Sequence, residues 1–373
     1  MKYYIIAGEA SGDMHAANLM SEIRKTDPDA VFRCWGGDLM AAEGGELVKH
    51  YRDLAFMGFL EVAANIRTIM RNLAFCKTDI LAFMPDAVIL VDYPGFNLRI
   101  AKFAHKNNLK VIYYISPQVW AWKKSRVYEI RRYVDKMLVI LPFEKEFYQR
   151  YHYEVDFVGH PLLDVVNKSS ENKDERKFRE SNNLPEKPII ALLPGSRKQE
   201  ISRMLPVMTA IADNHPAYEF VIAGAPSIDI TYYQQFPGLK GKHILFGKTH
   251  ELLRYSYAAL VTSGTATLET ALSGVPQVVC YKGSAVSFAI ARRIVDVKFI
   301  SLVNLIMDRQ VVTELIQHDF NAQNLEIELN KLLDPVYREK IISDYHLLRE
   351  KLGGSGAAAK AAKSIAEMLN AEG

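Results

Sequence analysis

The sequence predicts an α/β protein made of two tandem doubly wound domains. Three observations carry the prediction. Short apolar, strand-like runs alternate with helical patterns along the chain. Two series of these runs are separated by a stretch rich in Lys, Glu, Asn and Ser, from Asn167 to Lys187. Several runs end in small-residue turns that open a helix. At 373 residues, each half is long enough to bury its own core. Hydrophobic residues make up 49% and charged residues 24%, an ordinary soluble composition. The net charge of +3 is too small to argue for a nucleic-acid partner. Cys34, Cys76 and Cys280 are odd in number and far apart, which excludes a disulfide framework and fits a reducing compartment. No apolar run reaches the length of a membrane span, and the opening run is too short for a signal peptide.

The first half opens with a strand that runs into Gly8-Glu9-Ala10-Ser11-Gly12-Asp13 and then a helix to about Lys25. Three residues separate Gly8 from Gly12, so this is not the Gly-x-Gly-x-x-Gly dinucleotide fingerprint. Glu9 and Asp13 bring carboxylates to the C-terminal edge of the first strand, where α/β crevices form, with Asp13 read as a helix N-cap. Further strands are expected at Val31 to Trp35, Ala87 to Val91, Lys110 to Ile115, Met137 to Leu141 and Val155 to Val158. Asp92 follows Ala87 to Val91, the second of these runs, in Asp92-Tyr93-Pro94-Gly95-Phe96-Asn97. A carboxylate there either accepts a proton from a hydroxyl or forms a turn before Pro. Trp120 and Trp122 make an apolar platform in Ser116-Pro117-Gln118-Val119-Trp120-Ala121-Trp122.

Two basic features accompany this half. Phe59, Val62, Ala63, Ile66, Ile69, Met70 and Leu73 share one helical face, flanked by Arg67 and Arg71. Lys123, Lys124, Arg126, Arg131, Arg132 and Lys136 cluster after the tryptophans. Apolar stripes edged by cations suit an anionic bilayer surface; packing against the protein's own core is the alternative.

The second half opens on the strand Pro188 to Leu193 and the loop Pro194-Gly195-Ser196-Arg197, whose cation suits a leaving diphosphate. Strands follow at Glu219 to Ala223, His243 to Phe246, Ala259 to Thr262 and Gln277 to Tyr281. The Ala259 to Thr262 strand runs into Ser263-Gly264-Thr265 and a helix from Ala266 to Leu272, a turn that aims backbone N–H groups and a helix dipole at one spot. Glu269, one turn on, is either a ligand for sugar hydroxyls or a solvated charge. Asn304 lies near the same edge, with Glu314 and Gln317 read on a helix. Helices close the chain from Pro335 to Lys351 and from Ala357 to Leu369, broken by Gly353 to Gly356. No metal-ligand spacing is evident: Asp27-Pro28-Asp29 reads as a turn at the opposite sheet edge.

The blocks at residues 8–13, 92–97 and 116–122 are followed in order by Leu141-Pro142-Phe143-Glu144, Gly159-His160-Pro161, Leu193 to Arg197 and Thr262 to Glu269. As an ordered set they resemble the lipid-A-disaccharide synthase family, from residue 8 to about 317. The resemblance implies a GT-B fold, two Rossmann-like domains facing a cleft. It places an acceptor and lipid domain at 1–166, a UDP-sugar domain at 167–345, and a final helix in 346–373 packing back on the first domain. It implies inverting transfer of 2,3-diacylglucosamine from UDP to the 6-hydroxyl of 2,3-diacylglucosamine 1-phosphate. The expected product is the β-1,6-linked lipid A disaccharide, formed without metal or other cofactor on the inner face of the inner membrane. Asp92, Glu9 and Arg197 are then the catalytic candidates, and Ser196, Arg197, Ser263, Gly264, Thr265 and Glu269 the UDP ligands. Ser11, Asn97, Trp120, Asn304, Glu314 and Gln317 are placed in the cleft without a role. Phe59, Ile66, Arg67, Ile69, Met70, Arg71, Lys123, Lys124, Arg131 and Arg132 are assigned to the membrane. A homo-oligomer is compatible with this reading. A UDP-sugar 2-epimerase and a non-catalytic peripheral lipid-binding protein are the rival classes.

Overall fold

A computed structural model describes residues 1–53, 66–122, 124–169, 174–239, 241–284, 288 and 297–371. The chain divides into two compact units, Met1–Pro161 with Leu352–Gly373, and Leu162–Lys351. The first boundary thus falls at Pro161, ahead of the polar stretch, and the whole of the Pro335–Lys351 helix belongs to the second unit.

The first unit runs β1 Lys2–Ala7, α1 Ala10–Thr26, β2 Val31–Gly36, α2 Asp38–Ala42, β3 Glu46–His50, α3 Ile66–Phe83, β4 Ala87–Val91, α4 Pro94–Lys106, β5 Lys110–Tyr114, α5 Arg126–Tyr133, β6 Lys136–Val139, α6 Pro142–Gln149 and β7 Asp156–Phe157. Its sheet has the order β3-β2-β1-β4-β5-β6-β7, with parallel pairing throughout. Strand alternation sorts the core into two layers. Tyr4, Ile6, Val88 and Leu90 pack with α3, α4 and α5, while Tyr3, Ile5, Ile89 and Val91 pack with α1. The edge strand β3 escaped the sequence reading because its residues are only partly buried and mostly polar, so no apolar run marks it.

The second unit runs α7 Leu162–Ser169, α8 Glu175–Ser181, β8 Ile189–Leu193, α9 Lys198–Thr209, β9 Glu219–Gly224, α10 Ile230–Gln234, β10 His243–Phe246, α11 Thr249–Arg254, β11 Ser256–Thr262, α12 Thr265–Leu272, β12 Gln277–Tyr281, α13 Leu302–Met307, β13 Thr313–Ile316, α14 Ala322–Leu333 and α15 Pro335–Lys351. Its parallel sheet has the order β10-β9-β8-β11-β12-β13. Glu314 therefore lies on an edge strand and Gln317 just beyond it, not on a helix. Four residues with a carboxylate in the middle show neither helical nor strand period, and pairing with β12 decides the matter.

The last helix, α16 Ala357–Asn370, packs on α1 within the first unit. Ala361, Ala362 and Ile365 enter the α1-side core, and small side chains let the two helices approach closely. Ser364 Oγ donates to Asp156 Oδ2 at 2.6 Å, and Lys136 Nζ lies 2.7 Å from the same oxygen.

Strand order places the crevices. In each sheet the chain winds outward from a central strand and then returns beside it, and that reversal opens a crevice at the strand C-termini. In the first sheet the reversal lies between β1 and β4, with Ala7 level with Val91. In the second it lies between β8 and β11, with Leu193 level with Val261.

Candidate active site

At the first crevice Glu9 follows β1 and Asp92 follows β4. Asp92 (φ 46°), Tyr93 (φ 48°) and Ile115 (φ 67°) hold left-handed backbone at the ends of β4 and β5. Each such residue costs about 1–3 kcal/mol and persists only where its surroundings over-determine it. Here they do. Asp92 N donates to Tyr114 O (3.1 Å), and its carbonyl accepts the Tyr113 hydroxyl and Asn97 Nδ2 (2.8 Å). Ile115 N donates to Leu138 O (3.0 Å). The Tyr93 ring lies over Gly8, where a Cβ would meet Cγ of the ring at 2.3 Å, so only glycine fits.

Burial pushes the Asp92 carboxyl up to about 6; the nearby charge of Glu9 adds to the rise, and the Tyr93 backbone N–H opposes it. Glu9 itself is exposed at the N-cap of α1, with Ser11 exposed in the first turn. A carboxylate that titrates near neutrality suits general-base work.

Three expected roles in this unit change. Asp13 is not the cap of α1: it sits inside that helix, buried, and accepts the N–H groups of Gly37 (2.7 Å), Leu39 (3.2 Å) and Met40 (3.2 Å), so it caps α2. Asn97 is fully buried, and its amide also reaches Val91 O (3.3 Å), which makes it a staple under Asp92. Trp120 is buried edge-on against Phe143 at 4.9 Å, while Trp122 is 40% exposed, so the two indoles form no common platform. Near Trp120 lies Glu144, which accepts the N–H groups of Leu141 (2.9 Å) and Ile140 (3.2 Å); burial raises its carboxyl to about 8.

At the second crevice a cavity of about 310 Å³ is lined by the loops after β8, β9 and β11, with Arg197, Gly264 and Thr265 in its wall. Gly264 has φ 149°, and a Cβ there would meet nothing within 4 Å, so its backbone faces open space. It is the N-cap of α12, whose first amides have no acceptor within the helix. Arg197 caps α9 and its side chain is 66% exposed. Glu200 was missed from sequence, because the capping-box signature calls for Ser or Thr at the N-cap and Arg197 stands there. Its Oε2 accepts the N–H groups of Ser196 (2.9 Å) and Arg197 (3.3 Å), so these amides shape the loop and are not offered to a ligand.

Glu269 Oε1 lies 3.0 Å from His250 Nδ1 on α11, a partner 19 residues away that no spacing rule reveals. Asn304 and Glu314 come together, yet they serve the chain. Asn304 is fully buried; it donates to Val312 O (2.9 Å) and Glu314 Oε1 (2.8 Å) and accepts from Val311 N (2.7 Å) and Val312 N (3.0 Å). Glu314 accepts the N–H groups of Ile300 (2.9 Å) and Ser301 (3.0 Å). Ile300 O in turn accepts Ser263 Oγ at 2.9 Å, so this bolt ends at the Gly264 turn. Gln317 has φ 55°, and its shielded Nε2 meets no hydrogen-bond acceptor among the described residues.

The apolar stripe splits. Leu73 is buried and Ile69 packs on the core, whereas Ile66 is 49% and Met70 56% exposed, beside exposed Arg67 and Arg71. Phe75, not expected in this role, is also exposed at 47%, one turn beyond Arg71. Phe59, Val62, Ala63 and Lys123 lie outside the described residues. Lys124, Arg131, Arg132, Trp122 and Tyr128 are exposed on and before α5, in the same helix layer as α3. Arg131 Nη1 also donates to Tyr151 O at 3.0 Å. No described helix is long and apolar enough to cross a membrane.

Comparison with known proteins adds the family. The family described as Lipid-A-disaccharide synthetase matches residues 3–368. The lipid-A-disaccharide synthase of Syntrophus aciditrophicus is 42% identical over 371 residues, which covers 96% of this chain and 95% of that one. The enzyme of the same name from Geobacter metallireducens is 38% identical over 373 residues, covering 98% of this chain and 96% of that one. Among solved structures, the UDP-GlcNAc 2-epimerase of Neisseria meningitidis bound to UDP-GlcNAc superposes with a TM-score of 0.63 at 14% identity, covering 100% of both chains. The glycotransferase of kitacinnamycin gives 0.64 at 12% identity, covering 99% of both. At such identities the structural likeness is one of fold, shared by epimerases and GT-B glycosyltransferases. The sequence match discriminates between them because it runs through both crevices, and on that ground the chain belongs to the lipid-A-disaccharide synthase family.

Proposed function

We propose that this glycosyltransferase forms the lipid A disaccharide by a single inverting displacement, with Asp92 as base and the Gly264 turn as diphosphate site. Membership of the family makes the protein a transferase that takes a UDP-sugar and a lipid acceptor. The donor is UDP-2,3-diacylglucosamine and the acceptor 2,3-diacylglucosamine 1-phosphate. The acceptor 6-hydroxyl oxygen attacks the anomeric carbon, its proton passes to Asp92, and the bond from that carbon to the diphosphate oxygen breaks, releasing UDP. Attack opposite an α-linked leaving group gives the β linkage. The observation that carries this reading is the Asp92 carboxyl. It sits at a crevice on a residue whose backbone N–H and carbonyl are fixed by three hydrogen bonds, and burial pushes it up to about 6, where it is both ionised at neutral pH and basic enough to take a proton. A base of this kind is worth about 10²–10⁴ in rate.

Arg197 and the amides opening α12 meet the charge developing on the diphosphate, each donor worth about 3 kcal/mol. Glu269, oriented by His250, holds the ribose. We assign no metal to this step; the cation and the helix end supply the charge. The test is mass spectrometry of products from purified protein, UDP-diacylglucosamine and the monosaccharide phosphate in the presence of EDTA. The disaccharide is expected, with UDP released only when acceptor is present. UDP release without acceptor, or an epimerised UDP-sugar, would overturn the reading.

Both substrates are diacylated, and each CH₂ brought into water costs about 0.8 kcal/mol, so transfer has to occur at a lipid surface. We place Ile66, Met70 and Phe75 against the inner face of the inner membrane, with Arg67, Arg71, Lys124, Arg131 and Arg132 toward anionic head groups. Each cation contributes about 1 kcal/mol near such a surface. The double substitution Ile66→Ser, Met70→Ser is expected to weaken binding to anionic vesicles about 10-fold and to raise the acceptor KM, with UDP affinity and melting temperature preserved. Unchanged vesicle binding would move the membrane surface elsewhere. Ile69 is not a suitable probe, because it packs on the core and its loss would destabilise the fold.

A further inference from the structure

A second cavity of about 1140 Å³ lies in the second unit at the opposite edge of its sheet from the Gly264 turn. It is bounded by α8, by Lys187 and Pro188 before β8, by Ser256 and Tyr257 at the start of β11, and by Arg338 on α15. The length of β8 separates it from the diphosphate cavity, and no residue lines both.

Five cations and three carboxylates line this groove, and the cations are not equivalent. Arg179 is fully engaged: it pairs with Glu175 and donates to Pro185 O (2.6 Å) and Lys187 O (2.9 Å), so it builds the wall. Lys187 Nζ donates to Pro216 O at 2.8 Å. Arg254 and Arg338 differ from these. Arg254 Nη1 is shielded from solvent and meets no acceptor among the described residues. The Arg338 guanidinium lies 4.0 Å over the Tyr257 ring and donates to the Tyr257 carbonyl, and among the described residues it forms no ion pair with a carboxylate. Burial pulls its pKa down from the ordinary value. A guanidinium cannot shed its proton to escape such a position, so the charge persists and favours an anion from solution. The planar fork of donors matches the oxygens of a phosphoryl group.

We propose that this groove binds a phosphorylated ligand, its phosphoryl group held by Arg254 and Arg338. The volume exceeds what a phosphate alone needs, and Leu184 and Tyr255 line the groove as apolar surface for the rest of the ligand. The site is distinct from the donor cavity, so it offers the enzyme a second phosphate-sensitive position remote from the chemistry.

The test uses the full chain with saturating UDP, so that the donor cavity is filled, and two probes read by thermal shift and sedimentation. Inorganic pyrophosphate represents a soluble phosphate ester, and phosphatidylcholine vesicles containing phosphatidic acid represent a lipid head group. Saturable stabilisation by pyrophosphate, weakened at least about 10-fold by Arg254→Gln and by Arg338→Gln, would support a soluble ligand. Vesicle binding that survives Ile66→Ser, Met70→Ser and is lost in the same arginine variants, with no response to pyrophosphate, would support a head group. An unchanged response in both variants, or none to either probe in the wild type, would overturn the proposal. UDP affinity checks the fold of each variant. If Arg254→Gln fails to fold, Arg254→Lys decides, because it keeps the charge and loses the fork; undiminished affinity there would also overturn the site. The readout is the effect of Arg254, so it stands even if the donor cavity binds something other than UDP.

Discussion

Asp92→Asn is expected to lower kcat by at least about 10²-fold and, at the same time, to make the protein more stable above pH 6. The substitution keeps shape and removes the base, so turnover falls while UDP affinity, set in the other unit, is retained. The stability gain follows from the sign of the pKa shift. The folded-state value of about 6 lies above the ordinary aspartate value of 3.8, because burial and Glu9 disfavour the charge. Protonated Asp92 is therefore compatible with the fold, and its contribution is fully present below the unfolded value. That contribution is lost as pH rises through the folded value, and above it the buried charge destabilises the protein by about 3 kcal/mol at most. Asn carries no such penalty. Urea unfolding at pH 5 and pH 8 is the measurement: the variant should gain on the wild type mainly at the higher pH. The wild-type kcat/KM should fall with an acid limb near 6, and Glu9→Gln should move that limb to lower pH. Normal turnover in Asp92→Asn, or a limb that ignores Glu9, would remove Asp92 as the titrating base.

Asn304→Ala is expected to cost about 3–5 kcal/mol of stability, far more than removal of a residue that only touches substrate. Its side chain makes four hydrogen bonds in a fully buried position, to Val311, to Val312 twice, and to Glu314. Truncation takes these partners from Val311 and Val312, while Glu314 keeps Ile300 and Ser301, and each unsatisfied buried group costs about 1–3 kcal/mol, partly relieved by relaxation. Because Glu314 and Ile300 connect this bolt to Ser263, the diphosphate turn should loosen too and UDP affinity should fall. Asn304→Asp should not rescue, since it removes two donors and sets a second carboxylate against Glu314. Calorimetry with a UDP titration decides the point. An unchanged melting temperature with a raised donor KM would return Asn304 to the substrate site.

Much of the architecture was legible in sequence because its signals are local. Ala87 to Val91 is a strand at its expected bounds since five consecutive apolar residues need burial on both faces of a parallel sheet. The Gly264 turn and the α12 helix were legible because small residues after a strand leave few other conformations open. The strands that escaped, β3 and β13, are edge strands whose half-exposed faces carry no apolar run. The candidate site was only half legible, for a different reason. Glu9, Asp92, Arg197 and Gly264 fall at the two chain reversals because strand termini are local features and the crevices follow from strand order.

The roles of the remaining polar residues depended on partners far away in the chain. Asn97, Asn304 and Glu314 look like cleft residues, and Asp13 like the cap of its own helix, until the backbone carbonyls that take up the Asn97 and Asn304 amides, and the backbone N–H groups that fill the Asp13, Asn304 and Glu314 oxygens, are seen. His250 was invisible beside Glu269 for the same reason. Even the apolar stripe of α3 has one period but two destinations, with Ile69 and Leu73 inward and Ile66 and Met70 outward. Periodicity and turn chemistry in the sequence determined where strands, helices and crevice loops lie. Which polar atoms remain for a substrate was decided by tertiary structure alone, because a buried group is claimed by whichever donor or acceptor the fold brings within hydrogen-bond reach.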